Sequence, residues 1–331
     1  MKIFFYCLRE FDELACCEKF SRETGIAFGY TTQYPSPETF SLARGCEGVS
    51  VIPCDMSAPV LRTFHGLGVR YLLCRSIGYD HVDLEEAARL GMRVANVSYP
   101  PSGVAGYAVM LMLMACRNIT GLLRQADMQD FTLRGKIGLD LAACTVGVIG
   151  TGQIGATVIR ALSGFGCRIL ACDPRRNPSV EGLAEYVGLD RLLAGSDIVT
   201  LHTNATADNH HLLNARTFAC MKKGAIVINT ARGKLIDTQA LIGALESGQV
   251  GYAALDVLEN EEGLYYCDRR GEVIANREMA VLRSFPNVIL SPHTAFYTQS
   301  AVEHMVRYCF VNAAGFAGGA GTDHEIRCPG S

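Results

Sequence analysis

Thr145–Gly155 reads TVGVIGTGQIG, an apolar, strand-like run that passes directly into the glycine pattern GxGxxG, and ATVIRALSGFG follows at 156–166 as a helical pattern. Gly150 permits a tight turn, Gly152 lets the backbone approach a pyrophosphate, and Gly155 allows strand and helix to pack closely. N–H groups at the start of such a helix bind phosphate anions. The loop residues predicted to hold a dinucleotide are therefore Gly150, Thr151, Gly152, Gln153, Ile154 and Gly155.

An acidic residue ends the next predicted strand, Arg168–Cys172, in the sequence RILACD. Asp173 lies about 20 residues beyond the first glycine, where a carboxylate accepts hydrogen bonds from the adenosine ribose. The same carboxylate repels a 2′-phosphate, so the sequence predicts NAD rather than NADP. Arg175 and Arg176 follow closely and oppose this interpretation, because either guanidinium could bind that phosphate.

Two series of alternating strands and helices flank this unit. Before it, the predicted strands are Lys2–Cys7, Val49–Pro53, Arg70–Cys74 and Arg93–Val97. From Thr145 onward they are Thr145–Ile149, Arg168–Cys172, Asp197–His202, Ala225–Thr230, Tyr252–Asp256 and Asn287–Leu290. Such alternation predicts two parallel sheets covered by helices, an α/β fold. A long apolar helix begins near Ser102, a final helix covers 301–314, and the Gly-rich end after it is expected to lack regular structure.

Three ionisable residues follow strands of the second series: Arg232, Glu261 and His293. Ligands of open parallel sheets bind beyond the carboxyl ends of the strands, so we expect these side chains at one edge. A guanidinium can hold a carboxylate with two parallel hydrogen bonds. An imidazole can deliver a proton to a carbonyl oxygen, and a neighbouring carboxylate favours its charged form. Together with a dinucleotide, the set predicts carbonyl reduction.

Composition excludes other classes of function. The 331 residues carry 30 Lys and Arg against 33 Asp and Glu, a formal charge of −3, so no basic excess is available for nucleic acid. The longest apolar run is too short to span a bilayer, and no membrane partner is expected. Fourteen cysteines show no CxxC spacing, so no metal site is expected. The N-terminal residues lack a signal-peptide pattern, which predicts a cytoplasmic protein with reduced thiols.

Several segments together resemble the D-isomer-specific 2-hydroxyacid dehydrogenase family, above all its D-lactate and vancomycin-resistance types. They are CRSIGYDHVD, VGVIGTGQIG, GFGCRILACD, INTARGKLID, GYAALDVLENEEG and PNVILSPHTAFYT. The resemblance implies two doubly wound domains with the active site in the cleft between them. A flavodoxin-like substrate domain would comprise residues 1–98 and 296–331, and a Rossmann-type NAD domain residues 99–295. It also implies a homodimer built mainly from the NAD domain, with apolar surface offered by Met110–Met114.

The family's residue roles carry over position by position. Arg232 resembles the arginine that binds the substrate carboxylate, His293 the acid/base, and Glu261 its partner. Backbone N–H groups of a loop would bind the carboxylate, and two aromatic residues would line the side-chain pocket; these are Ser76, Ile77, Gly78, Tyr99 and Phe296. Further cofactor contacts are implied for Thr203, Asn204, Thr230, Ala231 and Asp256, the last near the nicotinamide carboxamide.

Departures from the family pattern concern substrate range more than reaction type. Gly106 stands where many members carry glutamate, Asn204 follows His202-Thr203 where many carry proline, and Phe296 replaces the tyrosine of some lactate enzymes. The sequence predicts NADH-dependent, reversible reduction of a 2-keto acid to the D-2-hydroxy acid, with pyruvate as the first expectation. A bulkier branched or aromatic keto acid is the alternative. A dinucleotide-sensing, corepressor-like interaction protein is a remote third possibility.

Overall fold

The computed structural model describes residues 1–261 and 263–327, and the chain divides into two compact units. One unit comprises Met1–Pro100 together with the chain from Tyr297 onward, and the other comprises Pro101–Phe296. Each unit holds its own parallel sheet. The unit boundaries differ from the sequence prediction only at residues 99, 100 and 296.

The first unit is built on a six-stranded sheet in the order β13-β5-β4-β3-β1-β2. Its strands are β1 (Lys2–Phe5), β2 (Ala27–Tyr30), β3 (Gly48–Val51), β4 (Tyr71–Cys74), β5 (Arg93–Ala95) and β13 (Glu325–Ile326). The first five are parallel in the flavodoxin-like order 2-1-3-4-5, and β13 pairs antiparallel with β5. All four residues of β3 are buried, as expected for a central parallel strand covered on both faces.

Four helices cover this sheet: α1 (Leu14–Thr24), α2 (Ala58–Gly66), α3 (Leu84–Arg89) and α11 (Gln299–Ala317). Asp83 caps α3 by accepting a hydrogen bond from the N–H of Glu86, and Thr298 caps α11 in the same way from Ala301. Phe310 of α11 stacks on Phe5 with ring centroids 5.6 Å apart. The last long helix is therefore part of the core of the first unit, which makes that unit discontinuous in sequence.

A fully buried ion pair anchors the end of β4. The Nε of Arg75 lies 3.1 Å from Oε1 of Glu13, and both side chains are inaccessible to solvent. The other two nitrogens of the Arg75 guanidinium donate to Oγ of Ser50 at 3.0 Å and to the carbonyl of Tyr6 at 2.7 Å. Glu13 also pairs with Arg9 at 3.3 Å, whereas Glu13 is the one acidic group that the described residues place against Arg75. Removing the Glu13 carboxylate therefore leaves the Arg75 charge buried and uncompensated.

The second unit carries a seven-stranded, all-parallel sheet in the order β12-β11-β10-β9-β6-β7-β8. Its strands are β6 (Thr145–Ile149), β7 (Arg168–Cys172), β8 (Glu185–Tyr186), β9 (Ile198–Leu201), β10 (Ala225–Asn229), β11 (Val250–Leu255) and β12 (Val288–Leu290). Strand order reverses at β6, between β7 and β9, the place where doubly wound sheets bind dinucleotides. The two-sheet α/β prediction is confirmed.

The helices of this unit are α4 (Ser102–Cys116), α5 (Ile119–Asp127), α6 (Gln153–Ser163), α7 (Leu189–Gly195), α8 (Ala215–Ala219), α9 (Thr238–Glu246) and α10 (Arg277–Ser284). Buried residues lie on most sides of α4, as expected for a helix inside the core. No single helix among the described residues is long and apolar enough to cross a membrane. Only α4 and α5 together, bent by 59° where they meet, reach that length and composition.

Three strands were absent from the sequence prediction: β2, β8 and β13. Strand β2 has no buried residue, and β8 and β13 have two residues each, so none shows a readable apolar pattern. The expectation of an irregular Gly-rich end was wrong for its described part, because β13 pairs with Val94 and Ala95 there. The other predicted strands form, with ends that differ by up to two residues.

The buried ion pair between Glu13 and Arg75 should stabilise the first unit, and removal of its acidic partner tests this. Glu13→Gln keeps the side-chain size but leaves the Arg75 guanidinium buried without its counter-charge. We expect the free energy of unfolding of this unit to fall by about 3 kcal/mol or more, measured by urea denaturation. The exposed Glu47→Gln serves as the control and should change the value by no more than about 0.5 kcal/mol. Equal midpoints for the two variants would contradict the prediction.

Candidate active site

The glycine loop joins β6 to α6 with almost no space between strand and helix. Gly150 has φ +92°, and a Cβ there would lie 2.5 Å from the carbonyl oxygen of His202. A Cβ on Gly155 would collide with the carbonyl oxygen of Gly150, whereas a Cβ on Gly152 would meet nothing within 4 Å. Two glycines thus close the turn, and the third faces open space in front of the helix N-terminus. This is a cradle that suits a pyrophosphate.

Asp173 lies beside this loop and is held there by the backbone. Its carboxylate accepts hydrogen bonds from the N–H of Thr151 at 2.7 Å and from the N–H of Arg175 at 2.8 Å. Asn177 and Tyr186 bind Thr151 from the other side: the amide donates to its carbonyl at 2.7 Å and the phenol to its hydroxyl at 2.9 Å. Sequence analysis missed Asn177 and Tyr186, because neither belongs to the glycine pattern.

The remaining predicted cofactor residues follow β9 and β10 at the same edge of the sheet. Thr230 is buried, and its hydroxyl has no hydrogen-bond partner among the described residues, so it can bond to a ligand. Thr203 is half-buried and Asn204 exposed, and the Asn204 carbonyl accepts from the Asn209 amide at 2.7 Å. The cradle, the Asp173 carboxylate and the orphaned hydroxyl together fit NAD.

The turn that carries Arg232 is shaped by two of its neighbours. The buried side chain of Asn229 accepts from the N–H of Ala231 at 3.0 Å and donates to the carbonyl of Arg232 at 2.9 Å. A Cβ on Gly233 would overlap the backbone of Leu258, so only glycine fits there. The half-buried arginine is thereby held at the carboxyl end of β10. The role of Asn229 could have been inferred from the sequence, because it is a polar residue at the end of the otherwise apolar run AIVIN.

Asp256 is a fully buried carboxylate at the end of β11. It accepts hydrogen bonds from the hydroxyl of Ser291 at 2.6 Å, the N–H of Thr294 at 2.9 Å and the N–H of Ala295 at 2.8 Å. Its own carbonyl accepts from the N–H of His293 at 2.8 Å. The side chain therefore holds the loop that carries the histidine, and its implied contact with nicotinamide stays a prediction.

His293 and Glu261 form a hydrogen-bonded pair. Nδ1 of the imidazole lies 2.5 Å from Oε1 of the carboxylate, and the second carboxylate oxygen accepts from the N–H of Leu258 at 2.7 Å. An ionised carboxylate only accepts, so Nδ1 carries the proton and Nε2 remains to exchange one with a substrate. His293 adopts φ +52°, a sparsely populated conformation that the Asp256 network supports.

Two aromatic rings surround this imidazole. The centroids of Tyr266 and Phe296 both lie 6.1 Å from that of His293, and they lie 6.4 Å from each other. The Tyr266 hydroxyl donates to the His293 carbonyl at 2.9 Å. Sequence analysis named Phe296 but not Tyr266, which lies in a loop without a recognisable motif.

A second histidine lies beneath the glycine loop. Desolvation by the surrounding protein lowers the pKa of His202 to about 4, and its Nε2 lies 2.9 Å from the hydroxyl of Thr200. The ring is therefore neutral near pH 7 and supports the loop without adding charge to a phosphate site.

The predicted substrate loop lies in the first unit, directly after Arg75. The amide of Asn96 donates to the Ile77 carbonyl at 2.7 Å, and the Ser76 hydroxyl donates to the Gly78 carbonyl at 2.6 Å. The carbonyl groups of Ile77 and Gly78 therefore both accept hydrogen bonds within the protein. Within the described part of the chain, the N–H groups of residues 76–78 donate to no protein acceptor. Tyr99 is half-buried beyond β5 in the same unit.

The second unit thus places Arg232, Glu261 and His293 beyond the ends of three adjacent strands, β10, β11 and β12. Glu261 contacts His293 directly. Convergence of the strand ends explains how residues far apart in sequence share one edge of the sheet.

Comparison with known proteins agrees with this geometry. Residues 109–295 match the model of the NAD-binding domain of D-isomer-specific 2-hydroxyacid dehydrogenases. A D-specific alpha-keto acid dehydrogenase of Enterococcus faecium is 45% identical over 79% of this chain and 80% of its own length. An aromatic 2-oxoacid reductase of Clostridium sporogenes is 38% identical over 96% of both chains.

Among solved structures, the apo form of Escherichia coli D-lactate dehydrogenase superposes with a TM-score of 0.85 at 33% identity, covering 98% of this chain and 100% of that one. The family match spans more than half of the chain, and the relatives align over most or nearly all of it. The chain therefore belongs to the D-isomer-specific 2-hydroxyacid dehydrogenases and is an NAD-dependent enzyme of that family.

Proposed function

We propose that this enzyme reduces pyruvate to D-lactate with NADH, reversibly, and that its active site uses Arg232, His293 and Glu261. The observation that carries the proposal is the His293–Glu261 pair, which leaves Nε2 of the imidazole as a proton donor beyond the end of β12. The D-lactate dehydrogenase of Escherichia coli, similar over the whole chain, supports pyruvate as the substrate.

Each protein group has a distinct task in the reaction. Arg232 binds the substrate carboxylate with its planar guanidinium, which positions the adjacent carbonyl. His293 donates its Nε2 proton to the carbonyl oxygen, and Glu261 stabilises the imidazolium before that transfer. NADH, when bound, supplies the hydride that reduces the carbonyl carbon. In the oxidative direction His293 accepts the hydroxyl proton.

We also propose that backbone N–H groups of the first unit bind a carboxylate. The N–H groups of Ser76, Ile77 and Gly78 donate to no protein acceptor among the described residues, and they suit an anion. The loop is held by hydrogen bonds to its carbonyl groups and by Arg75, the residue before it, which pairs with Glu13. Donors held in this way need little reorganisation when charge develops on a bound group. Tyr99 of the first unit and Phe296 of the second are proposed contacts of the substrate side chain.

An aromatic 2-keto acid is the second candidate substrate. Tyr266 and Phe296 present two rings around His293, and rings of this kind pack well against an aromatic side chain. The Clostridium sporogenes relative, an aromatic 2-oxoacid reductase, matches 96% of this chain. The methyl group of pyruvate and the phenyl ring of phenylpyruvate would therefore contact the rings of Tyr266 and Phe296 to different extents.

We further propose a homodimer formed through the second unit. Beyond α5, the chain exposes a series of apolar side chains, with Phe131 77%, Leu133 89% and Ile137 98% accessible. An exposed apolar group of this size suits burial against a second copy, and a two-fold pair is the commonest oligomer.

We propose a cytoplasmic location for the enzyme. The thirteen cysteines among the described residues are all free thiols in the structure, which suits a reducing compartment. The proposed substrate and NADH are small molecules, and no nucleic acid or membrane partner enters the proposal.

The substrate proposal is tested by NADH oxidation with pyruvate, 2-ketoisocaproate and phenylpyruvate. We expect the highest kcat/KM with pyruvate and D-lactate as the product. Arg232→Lys should lower kcat/KM on the order of 100-fold for every keto acid, because lysine cannot form two parallel hydrogen bonds. Lys234→Arg, an exposed neighbour, is the control and should retain normal turnover. A clear preference for phenylpyruvate would favour the second candidate.

Glu261→Gln should slow keto-acid reduction. The carboxylate that accepts from Nδ1 of His293 is replaced by a neutral amide, so the ring loses the charged partner that orients it for proton transfer from Nε2. We expect kcat/KM for pyruvate to fall by about tenfold or more. The exposed Glu272→Gln should leave it unchanged. Equal kcat/KM for wild type and Glu261→Gln would remove this role from Glu261.

Asp173 should determine the choice between cofactors. Its carboxylate, held by the N–H groups of Thr151 and Arg175, would face a like-charged phosphate in NADPH. We expect about 100-fold higher kcat/KM for NADH than for NADPH in the wild type. Asp173→Ser should reduce that ratio at least tenfold, by the same reasoning. An unchanged ratio would assign discrimination to other residues.

The dimer proposal predicts twice the 35.8-kDa chain mass by light scattering at micromolar concentration. The double variant Leu133→Glu with Ile137→Glu should dissociate, since charge in an apolar interface is costly to desolvate. Val273→Glu introduces the same charge at a site that is 97% exposed outside the segment, and it should remain dimeric. A wild-type monomer would refute the proposal.

A further inference from the structure

Two histidines and a glutamate form a cluster apart from the reacting groups. Nε2 of His211 lies 2.9 Å from Oε1 of Glu259, and Nε2 of His210 lies 3.6 Å from the same oxygen. One ligand atom from each residue lies within 4.8 Å of the other two. The histidines follow β9 and the glutamate follows β11, so this cluster joins two loops at one edge of the sheet.

These distances suit a small coordination sphere. Nitrogen and oxygen ligands about 2.0–2.2 Å from zinc in a tetrahedron lie roughly 3.3–3.6 Å apart. The two separations from the Glu259 oxygen are 2.9 Å, below that range, and 3.6 Å, at its upper end. Two imidazoles and one carboxylate are also a ligand set found in zinc proteins, and water can complete the sphere.

The backbone of His211 is fixed by two hydrogen bonds. Its backbone N–H donates to the Lys234 carbonyl at 2.9 Å, and its carbonyl accepts from the side-chain amide of Asn214 at 2.9 Å. Nδ1 of the ring lies 3.9 Å from Oδ2 of Asp237, which is too far for a direct hydrogen bond, so this carboxylate acts on the imidazole through its charge alone.

The His210 ring distinguishes a metal site from an ordinary hydrogen bond. The contact between His211 and Glu259 alone would suffice to tether the two loops. His210 nevertheless stacks on His211 with centroids 3.9 Å apart and directs Nε2 toward the same carboxylate oxygen. Its side chain is 51% exposed, which leaves a path for an ion from solvent.

We propose that His210, His211 and Glu259 bind a divalent transition metal ion of the zinc type. Imidazole nitrogen favours zinc over magnesium and calcium, which prefer a shell of oxygen atoms. None of the three residues takes part in the proposed reduction, so the inference stands independently of the substrate. The ion would lie on the turn that leads to Glu261, two residues beyond Glu259.

Calorimetric titration with Zn²⁺ tests the site. Two exposed thiols, Cys220 and Cys267, could bind zinc themselves, so the titrations use the Cys220→Ser, Cys267→Ser protein throughout. We expect one ion per chain, and at least about tenfold weaker binding after His210→Ala or Glu259→Gln. His304→Ala removes a surface histidine in the first unit and should leave the affinity unchanged.

A second measurement separates ligand loss from misfolding. Because the His210 side chain is half exposed, His210→Ala should retain the wild-type melting temperature without metal. Co²⁺ in place of zinc should give visible ligand-field bands in the parent protein that His210→Ala abolishes. Absence of stoichiometric binding would overturn the proposal, as would equal zinc affinity in the parent and His210→Ala proteins. Cobalt bands that persist in His210→Ala would overturn it as well.

Discussion

The buried carboxylate of Asp256 is the constraint on which the position of His293 depends. It has no solvent contact, and its three hydrogen bonds all go to the loop that carries His293. Without them two buried N–H groups and a hydroxyl would lose their partners, at about 1–3 kcal/mol each. The same network supports the positive φ of His293, and therefore the direction in which the imidazole meets Glu261.

The first unit uses the same physical device with opposite charge. The guanidinium of Arg75 is buried at the end of β4, satisfied by Glu13 and by the carbonyl groups of Tyr6 and Cys7, which directly follow β1. The loop that begins at Ser76 therefore starts from a rigid point. In both units a buried charge is satisfied by groups of the protein itself where a loop leaves the sheet, which keeps polar groups in place without exposing the core to water.

Much of the fold could be predicted from the sequence because the patterns that indicate its strands are local. Apolar runs bounded by turns predicted ten of the thirteen strands among the described residues, and GxGxxG predicted the close turn between β6 and α6. The three missed strands are short edge strands, β2, β8 and β13, whose partial exposure leaves no apolar pattern. Six of the ten predicted strands run one or two residues past the carboxyl end of the observed strand.

By itself the sequence determined the α/β class, the GxGxxG loop between β6 and α6 and the use of NAD, and it predicted the three site residues Arg232, Glu261 and His293. Each depends on residue type at a fixed place relative to a strand end, which periodicity and spacing reveal. Tertiary structure decided the tasks of the groups around them. Asp256 holds a loop 35 residues away, and Glu259 meets His211 across 48 residues. Such partners are chosen by the packing of neighbouring strands, because side chains remote in sequence become adjacent only where parallel strands end together.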